Sequence, residues 1–523
     1  MPRLLPCLAG LLTCLAAGTA GAATPPCEPG AVFSDLDGDG RRSPNEPGVD
    51  GVAVSDGRTL VRTDASGRYR LPVGEGGMVF VVKPPAFDLP RREDGLPAHW
   101  QDVRGSACPA FGLQPAAGVA RPALEVLVFG DPQPKSAVDV DYYRRDIVDP
   151  LRASGEAAGA GLGLTLGDVV HDDLSLYPAM NAVTASLGLP WLHAPGNHDL
   201  DFDSSHDIGS LATFQGQYGP DTLAWEEPEA SFVVLDNVVY QPDQRPAYVG
   251  GIREDQFAFL EAYLATARRD RLLVLAAHIP FFDVAPGQET FRHGDRARLF
   301  GMLRPFPKVL LLTAHGHIQR HVWHDGESGW QGAEPLHEYN VGAACGAFWS
   351  GVKDADGIPD ATMADGTPNG HARLQVFGDG RYALSWQPSR QQDTSASTAA
   401  MRLHGPRVLR RGSWPGTGLF ANVYMGDAAT RVEYRIDGGE WEAMRRVEVA
   451  DPWLVAQNAG DDASDRLRGY DRAPEAKPST HLWRINLPTD LAVGVHRVEV
   501  RAFDRWHGAQ HASTTYRLDE ASP

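Results

Sequence analysis

A series of short segments in the middle of the chain places metal-ligating side chains directly after apolar runs. In order they are Asp131-Pro132-Gln133, Gly167-Asp168, Gly196-Asn197-His198-Asp199, Ala277-His278 and His315-Gly316-His317. The runs before them are Val126–Phe129, Leu162–Leu166, Trp191–Ala194, Leu272–Ala276 and Val309–Leu312. Short apolar runs bounded by turn residues read as buried strands. Loops at strand ends are where open α/β sheets gather their sites. One Asp, Asn or His after a strand means little, but this many in this order points to one polynuclear metal site.

The arrangement resembles the calcineurin-like metallophosphoesterase superfamily, whose pattern is D-x-H, G-D, G-N-H-D, H and G-H-x-H on a two-sheet α/β sandwich. The motif match runs from Asp131 to His317. The flanks, including Trp349-Ser350-Gly351 and Asp365-Gly366-Thr367, resemble bacterial members with added N- and C-terminal modules. Gln133 stands where the family usually has His, and Ala314 precedes His315 where the family has Gly. The resemblance implies a first metal held by Asp131, Gln133, Asp168 and His317, and a second held by Asp168, Asn197, His278 and His315. Asp168 would bridge the two. Paired divalent cations clamp a phosphate and ionise a water for in-line attack. Mixed oxygen and nitrogen donors suit Mn, Fe or Zn, and Gln133 in place of His tips the first site toward Mn or Fe.

By the same resemblance His198 faces the substrate phosphate, where it protonates the leaving oxygen or steadies developing charge. Asp199 is then expected to hold the imidazole in one tautomer. His171 and Asp172 share the Asp168 loop and either tune the site or do nothing. His193, His206, His293, His321 and His337 lack motif spacing and read as surface or core residues. Asp236, at a strand end, reads as a buttress. Arg253 and Arg292 are candidate phosphate clamps, since Arg suits bidentate phosphate contact. Phe348 and Trp349 either stack on a substrate or are ordinary core aromatics.

Met1-Pro2-Arg3, the apolar Leu4–Ala17 and the small residues Ala20-Gly21-Ala22 have the form of a secretory signal peptide, so a soluble periplasmic or secreted protein is expected, without a membrane span. Cys7 and Cys14 would leave with the signal. Cys27 and Cys108 sit near the two ends of one module and are expected to pair, since export permits disulfides. Cys345 is left over in a run of small residues.

With 523 residues the chain is long enough for about three domains. The expected division is a signal at 1–23, a β-sandwich module at 24–118, a phosphoesterase domain at 119–364 and a β-rich domain at 365–523. The fold class is thus α/β, a two-sheet sandwich flanked by mainly-β modules. Four helices are expected between the central strands: Tyr142–Ala153, Asp173–Leu187, Glu254–Arg269 and Arg296–Leu303. In the first module, Asp35, Asp37, Asp39, Arg41 and Glu46 fit the D-x-D-x-D-G-x5-E calcium loop, so Ca2+ is an expected ligand there beside an acidic turn without metal. Strands are expected at Ala372–Phe377, Arg381–Trp386, Ala421–Tyr424, Val432–Ile436 and Gly494–Phe503.

The net charge of −19 argues against a nucleic-acid partner, which calls for a basic stripe. Small phosphate monoesters or diesters fit better as substrates, hydrolysed by metal-activated hydroxide without a covalent enzyme intermediate. A second reading is an envelope binding or adhesion protein whose centre has lost activity. Gln133 favours it; the otherwise full ligand set opposes it.

Overall fold

The computed structural model describes residues 26–74, 76–116, 121–285, 287–390, 394–414 and 417–520. The expected signal segment, with Cys7 and Cys14, lies outside them. The fold is mixed α/β with several sheets.

Two sheets form the centre. The five-stranded one runs in the order Trp191–Ala194, Leu162–Leu166, Ala123–Phe129, Gly370–Phe377 and Tyr382–Pro388. Its first three strands are parallel, and the strand Gly370–Phe377 joins antiparallel, with Leu374 opposite Val126. The six-stranded sheet runs Leu223–Glu226, Ala230–Val234, Leu272–Ala276, Val309–Thr313, Leu336–Asn340 and Arg320–His324. Its four inner strands are parallel. These strands read as unbroken apolar runs because they are covered on both faces. Leu162–Leu166, Ala230–Val234 and Leu272–Ala276 are buried at every position. Every parallel strand therefore releases its chain at the same edge of its sheet, which is where the motif residues stand.

The first helical stretch begins earlier than the apolar pattern indicates. Ser136 caps it by accepting the Val138 amide, so it opens at Ala137 and continues through a π-helical turn, Arg144–Val148, to Ser154. The helix Glu254–Leu264 buries Phe257, Leu260, Tyr263 and Leu264, the spacing of one helix face. It stops short of the expected Arg269.

Residues 370–388 correct the expected division of the chain. Their two strands belong to the central sheet rather than to a separate C-terminal unit. Ala372, Leu374 and Val376 are completely buried and close the apolar face left open by Ala123–Phe129. A boundary at 364/365 would cut that sheet.

Upstream, two four-stranded sheets enclose Val32, Val54, Val79, Val81, Phe111 and Leu113. Cys27 and Cys108 are joined there by a disulfide, with Cα atoms 5.3 Å apart. Phe80 of this module packs on Phe259 of the helix Glu254–Leu264, 5.7 Å between ring centres. Downstream, strands from Met401 to Asp519 form a four- and a five-stranded sheet around Leu419, Trp483, Val498 and Val500. The long hairpin Gly494–Asp504 and Gly508–Asp519 dominates the second. A helix, Pro452–Asp462, interrupts the β pattern; Asp451 caps it and Pro452 opens it. Among the described residues no helix is long and apolar enough to cross a membrane.

Candidate metal centre

Asp131, Asp168, His278 and His315 emerge from the ends of four parallel strands, and Asn197 and His317 from the adjoining loops. Their backbones are bent to do it. Asp131, Gln133, Asp168, His315 and His317 all hold positive φ, between 41° and 67°. So do Asp172, Phe348 and Trp349 beside them. Non-glycine residues in this region cost on the order of 1–3 kcal/mol each, and such outliers gather where a site over-determines them. Two glycines make room. A Cβ on Gly167 (φ +87°) would lie 2.5 Å from His278 Nδ1, and one on Gly196 would lie 2.2 Å from Asp168 Oδ1.

The ligand atoms meet around one imidazole. His278 gives its Nδ1–H to the Leu166 carbonyl at 2.8 Å, which turns Nε2 to the centre. That nitrogen faces Asn197 Oδ1 at 3.0 Å, His315 Nδ1 at 3.1 Å and Asp168 Oδ2 at 3.4 Å. His317 likewise gives Nδ1–H to the Gly346 carbonyl at 2.7 Å and turns Nε2 to within 3.6 Å of Asp131 Oδ1. Asp131 Oδ1 is buried without a hydrogen-bond partner. Asp168, His278 and His315 offer ligand atoms within 4.8 Å of one another.

The electrostatics agree with the geometry. Burial pushes Asp131 up to about 8 and His315 down to about 3. Burial also opposes charge on His278, but Asp168 and Asp131 overcome it and raise the imidazole to about 9. A buried knot of acceptors is costly unless a cation satisfies it. The residues therefore fit divalent ions: oxygen and imidazole donors, with the His278 and His317 rings fixed from behind.

Gln133 is drawn in differently from the rest. Its Nε2 donates to Asp168 Oδ2 at 3.1 Å, and its Oε1 lies 3.8 Å from Cys345 Sγ. A half-turn of the amide exchanges the two atoms, so the side chain reaches the centre with either a donor or an oxygen ligand.

One expected role moves to another residue. Asp199 does not touch the His198 ring. Its buried carboxylate accepts the amides of Gly196 at 2.8 Å, Val169 at 3.1 Å and Val170 at 3.4 Å, and the Tyr177 hydroxyl at 3.0 Å. It pins two ligand loops together. Asp172 takes the imidazole instead, at 2.6 Å from His198 Nδ1. His198 in turn stacks on His171, ring centres 4.3 Å apart, at the open side of the centre.

Arg253 is not free to clamp phosphate. Asp221, Asp236 and Asp255 hold it within 3.3 Å. Arg292 precedes the helix His293–Leu303 and forms no ion pair among the described residues. Trp349 is a core residue whose indole donates to the Pro132 carbonyl at 2.9 Å. Phe348 lies over His317 at 4.5 Å, with Lys135 Nζ 5.3 Å from its ring. His321 and His337 belong to a stack with Trp323 and Tyr339, and His193 packs on Tyr218. Sequence reasoning passed over Asn237. Its Oδ1 accepts the amides of His278 and Ile279, fixing that loop; its position next to strand-end Asp236 was the only signal.

Two family models match the chain on either side of this centre. One describes the N terminal of calcineurin-like phosphoesterase and matches residues 37–115; the other describes its C terminal and matches residues 338–509. The chain belongs to the calcineurin-like phosphoesterase superfamily. Among solved structures, a dimetal phosphatase from Danio rerio is 14% identical, with a TM-score of 0.34, covering 52% of this chain and 98% of its own. A purple acid phosphatase from yellow lupin seeds is 12% identical, with a TM-score of 0.38, covering 65% and 66%. GAP50, the anchor in the inner membrane complex of Plasmodium, is 13% identical, with a TM-score of 0.33, covering 53% and 89%. At these values the three likenesses add nothing to the family assignment. Comparison with curated proteins gave no match. In this calcineurin-like phosphoesterase the matched stretches flank the ligand motifs, which stand between residues 131 and 317.

Proposed function

We propose that this protein is an exported hydrolase of small phosphate monoesters or diesters that works with two divalent transition-metal ions. The observation that carries the reading is the buried meeting of His278 Nε2 with Asn197 Oδ1, His315 Nδ1 and Asp168 Oδ2 at 3.0, 3.1 and 3.4 Å. Asp131, Gln133, Asp168 and His317 would hold one ion, and Asp168, Asn197, His278 and His315 the other. Bound there, the ions would supply Lewis-acid polarisation and an ionised water.

The chain's own residues do the rest. Asp172 fixes His198 with Nδ1 toward the carboxylate, so Nε2 faces outward, where its proton meets a leaving oxygen. Asp199 and Asn237 hold the ligand loops in register. Lys135, over Phe348, is placed to attract a phosphoryl oxygen. Export is supported by the composition of Met1–Ala22 and by the Cys27–Cys108 disulfide, a bond at home in oxidising compartments.

The test combines metal analysis of the purified protein with turnover of p-nitrophenyl phosphate and bis-p-nitrophenyl phosphate in Mn2+. Two ions per chain with hydrolysis of either ester is the expected result, and the preferred ester distinguishes monoesterase from diesterase. Neither metal nor turnover would overturn the reading and favour a binding protein with Gln133 marking a decayed centre.

A further inference from the structure

Away from the metal centre, a cavity of 390 Å³ opens where the segment 352–360 faces the C-terminal sheets and helix. Arg402, on the strand Met401–His404, lays its guanidinium on the indole of Trp453, 3.8 Å from the ring centre. Its one hydrogen bond goes from Nη1 to the Gly366 carbonyl at 3.2 Å, and among the described residues it has no carboxylate partner. Arg390, on the same wall, is by contrast consumed: Asp146 and the Ile358 and Pro359 carbonyls take its donors.

Tyr424 closes the floor. Only 1% of it is exposed, yet its hydroxyl has no hydrogen-bond partner. Lys353 also lines the cavity, as do Asp354 and Asp360. Asp354 lies 3.4 Å from Arg390, which Asp146 already holds, so Arg402 and Lys353 face the carboxylates of Asp354 and Asp360. The charges there balance, and Arg402 is a guanidinium that none of these carboxylates holds within ion-pair distance.

We propose that this cavity binds a small anionic monosaccharide, a uronate or a sugar phosphate, with Arg402 on the anion and the Tyr424 hydroxyl on the ligand. A guanidinium stacked on an indole keeps an edge of N–H groups in a fixed fork, the geometry that carboxylate and phosphate accept in pairs. A buried hydroxyl left unpaired is unfavourable until a polar partner arrives. The Ser397 hydroxyl and the Asp360 carboxylate on the lining suit a polyol rather than an alkyl acid; the Thr398 hydroxyl is taken by Met401. The volume falls in the range of small-molecule pockets and is too small for a polymer.

The proposal is tested by calorimetric titration of the metal-loaded, full-length protein with D-glucuronate, which carries no phosphoester. Binding is expected, with Arg402→Gln weakening it about tenfold or more and Tyr424→Phe by a smaller factor, as loss of one charged and one neutral hydrogen bond requires. Hydrolysis of p-nitrophenyl phosphate should be unchanged in both variants. Displacement of glucuronate by D-glucose 6-phosphate would make the sugar phosphate the preferred source of the anion, and its failure the uronate. Two results overturn the proposal: no binding of either sugar at about 10 mM, or binding that neither variant weakens. Tyr424→Phe removes one oxygen only, so the question stays answerable even where Arg402→Gln fails to fold. None of these readouts depends on turnover at the metal centre.

Discussion

The metal centre and the acidic loop at Asp35–Glu46 are built from the same kinds of residue and solve opposite problems. In the loop the carboxylates are already served by the chain itself. Asp35 accepts the amides of Gly38 at 2.9 Å and Gly40 at 3.1 Å, and Glu46 those of Leu36 and Ser43, both at 2.8 Å. Asp37 and Asp39 are exposed, each taking an amide two residues on. Asp35, Asp37 and Asp39 bring ligand atoms within 4.8 Å of one another, yet each already accepts a backbone amide. In the centre, Asp131 Oδ1 is buried without a hydrogen-bond partner, with the His317 and His278 rings 3.6 and 4.0 Å from it. A cation would complete that arrangement. Spacing of acidic residues identifies both regions; only the count of donors separates them.

The sharpest way to break the comparison is to spoil the shared carboxylate. Asp168→Asn keeps the shape but removes the charge between the two proposed ions. Metal content should fall below one ion per chain and turnover should be lost, measured by elemental analysis and p-nitrophenyl phosphate hydrolysis. Retention of both ions would show that the acceptor knot does not depend on Asp168. Next in size is the pair at the open side. His198→Ala should leave metal content intact and lower kcat by roughly 10²–10⁴-fold, the range of a general acid. Asp172→Asn should lower kcat by a smaller factor, about 10–100-fold, as loss of an orienting partner does. Asp199→Asn should instead lower stability and metal content together, because Asp199 binds backbone amides and not the imidazole.

This difference between Asp172 and Asp199 shows where sequence reading reaches its limit. The strands, the ligand motifs and the helix face of Phe257, Leu260 and Tyr263 were legible because they follow local periods and fixed spacings. The partner of His198 was not. Adjacent residues in a tight turn point apart, and Asp199 turns inward to Val169 and Val170, while Asp172 arrives from another strand end. The strands at 370–388 were recognised as strands but placed in the C-terminal domain, because alternation says which face is apolar and nothing about the partner. Arg253 was offered as a phosphate clamp for its type; the acids that occupy it, Asp221 and Asp236, lie 32 and 17 residues away. The helix Pro452–Asp462 passed unnoticed although Asp451 and Pro452 are an ordinary cap and first turn.

The remaining predictions concern stability, where the two regions should differ in degree. Gly167→Ala forces a methyl 2.5 Å from His278 Nδ1 at a backbone of φ +87°. It should cost on the order of 1–3 kcal/mol in the strained backbone alone, and more through the displaced imidazole, read as a lower denaturation midpoint together with weakened Mn2+ binding. Asp35→Ala is the matching change in the loop. Asp35 is 1% exposed and leaves two amides, those of Gly38 and Gly40, without an acceptor when truncated, so about 1–3 kcal/mol should be lost. Asp37→Ala and Asp39→Ala remove exposed carboxylates and should stay within about 0.5 kcal/mol. All three should keep full metal content at the centre and full phosphoesterase activity. A large loss at Asp37 or Asp39 that added Ca2+ restores would mean that the loop, like the centre, is completed by a cation, and the contrast between self-satisfied and acceptor-rich carboxylates would fail.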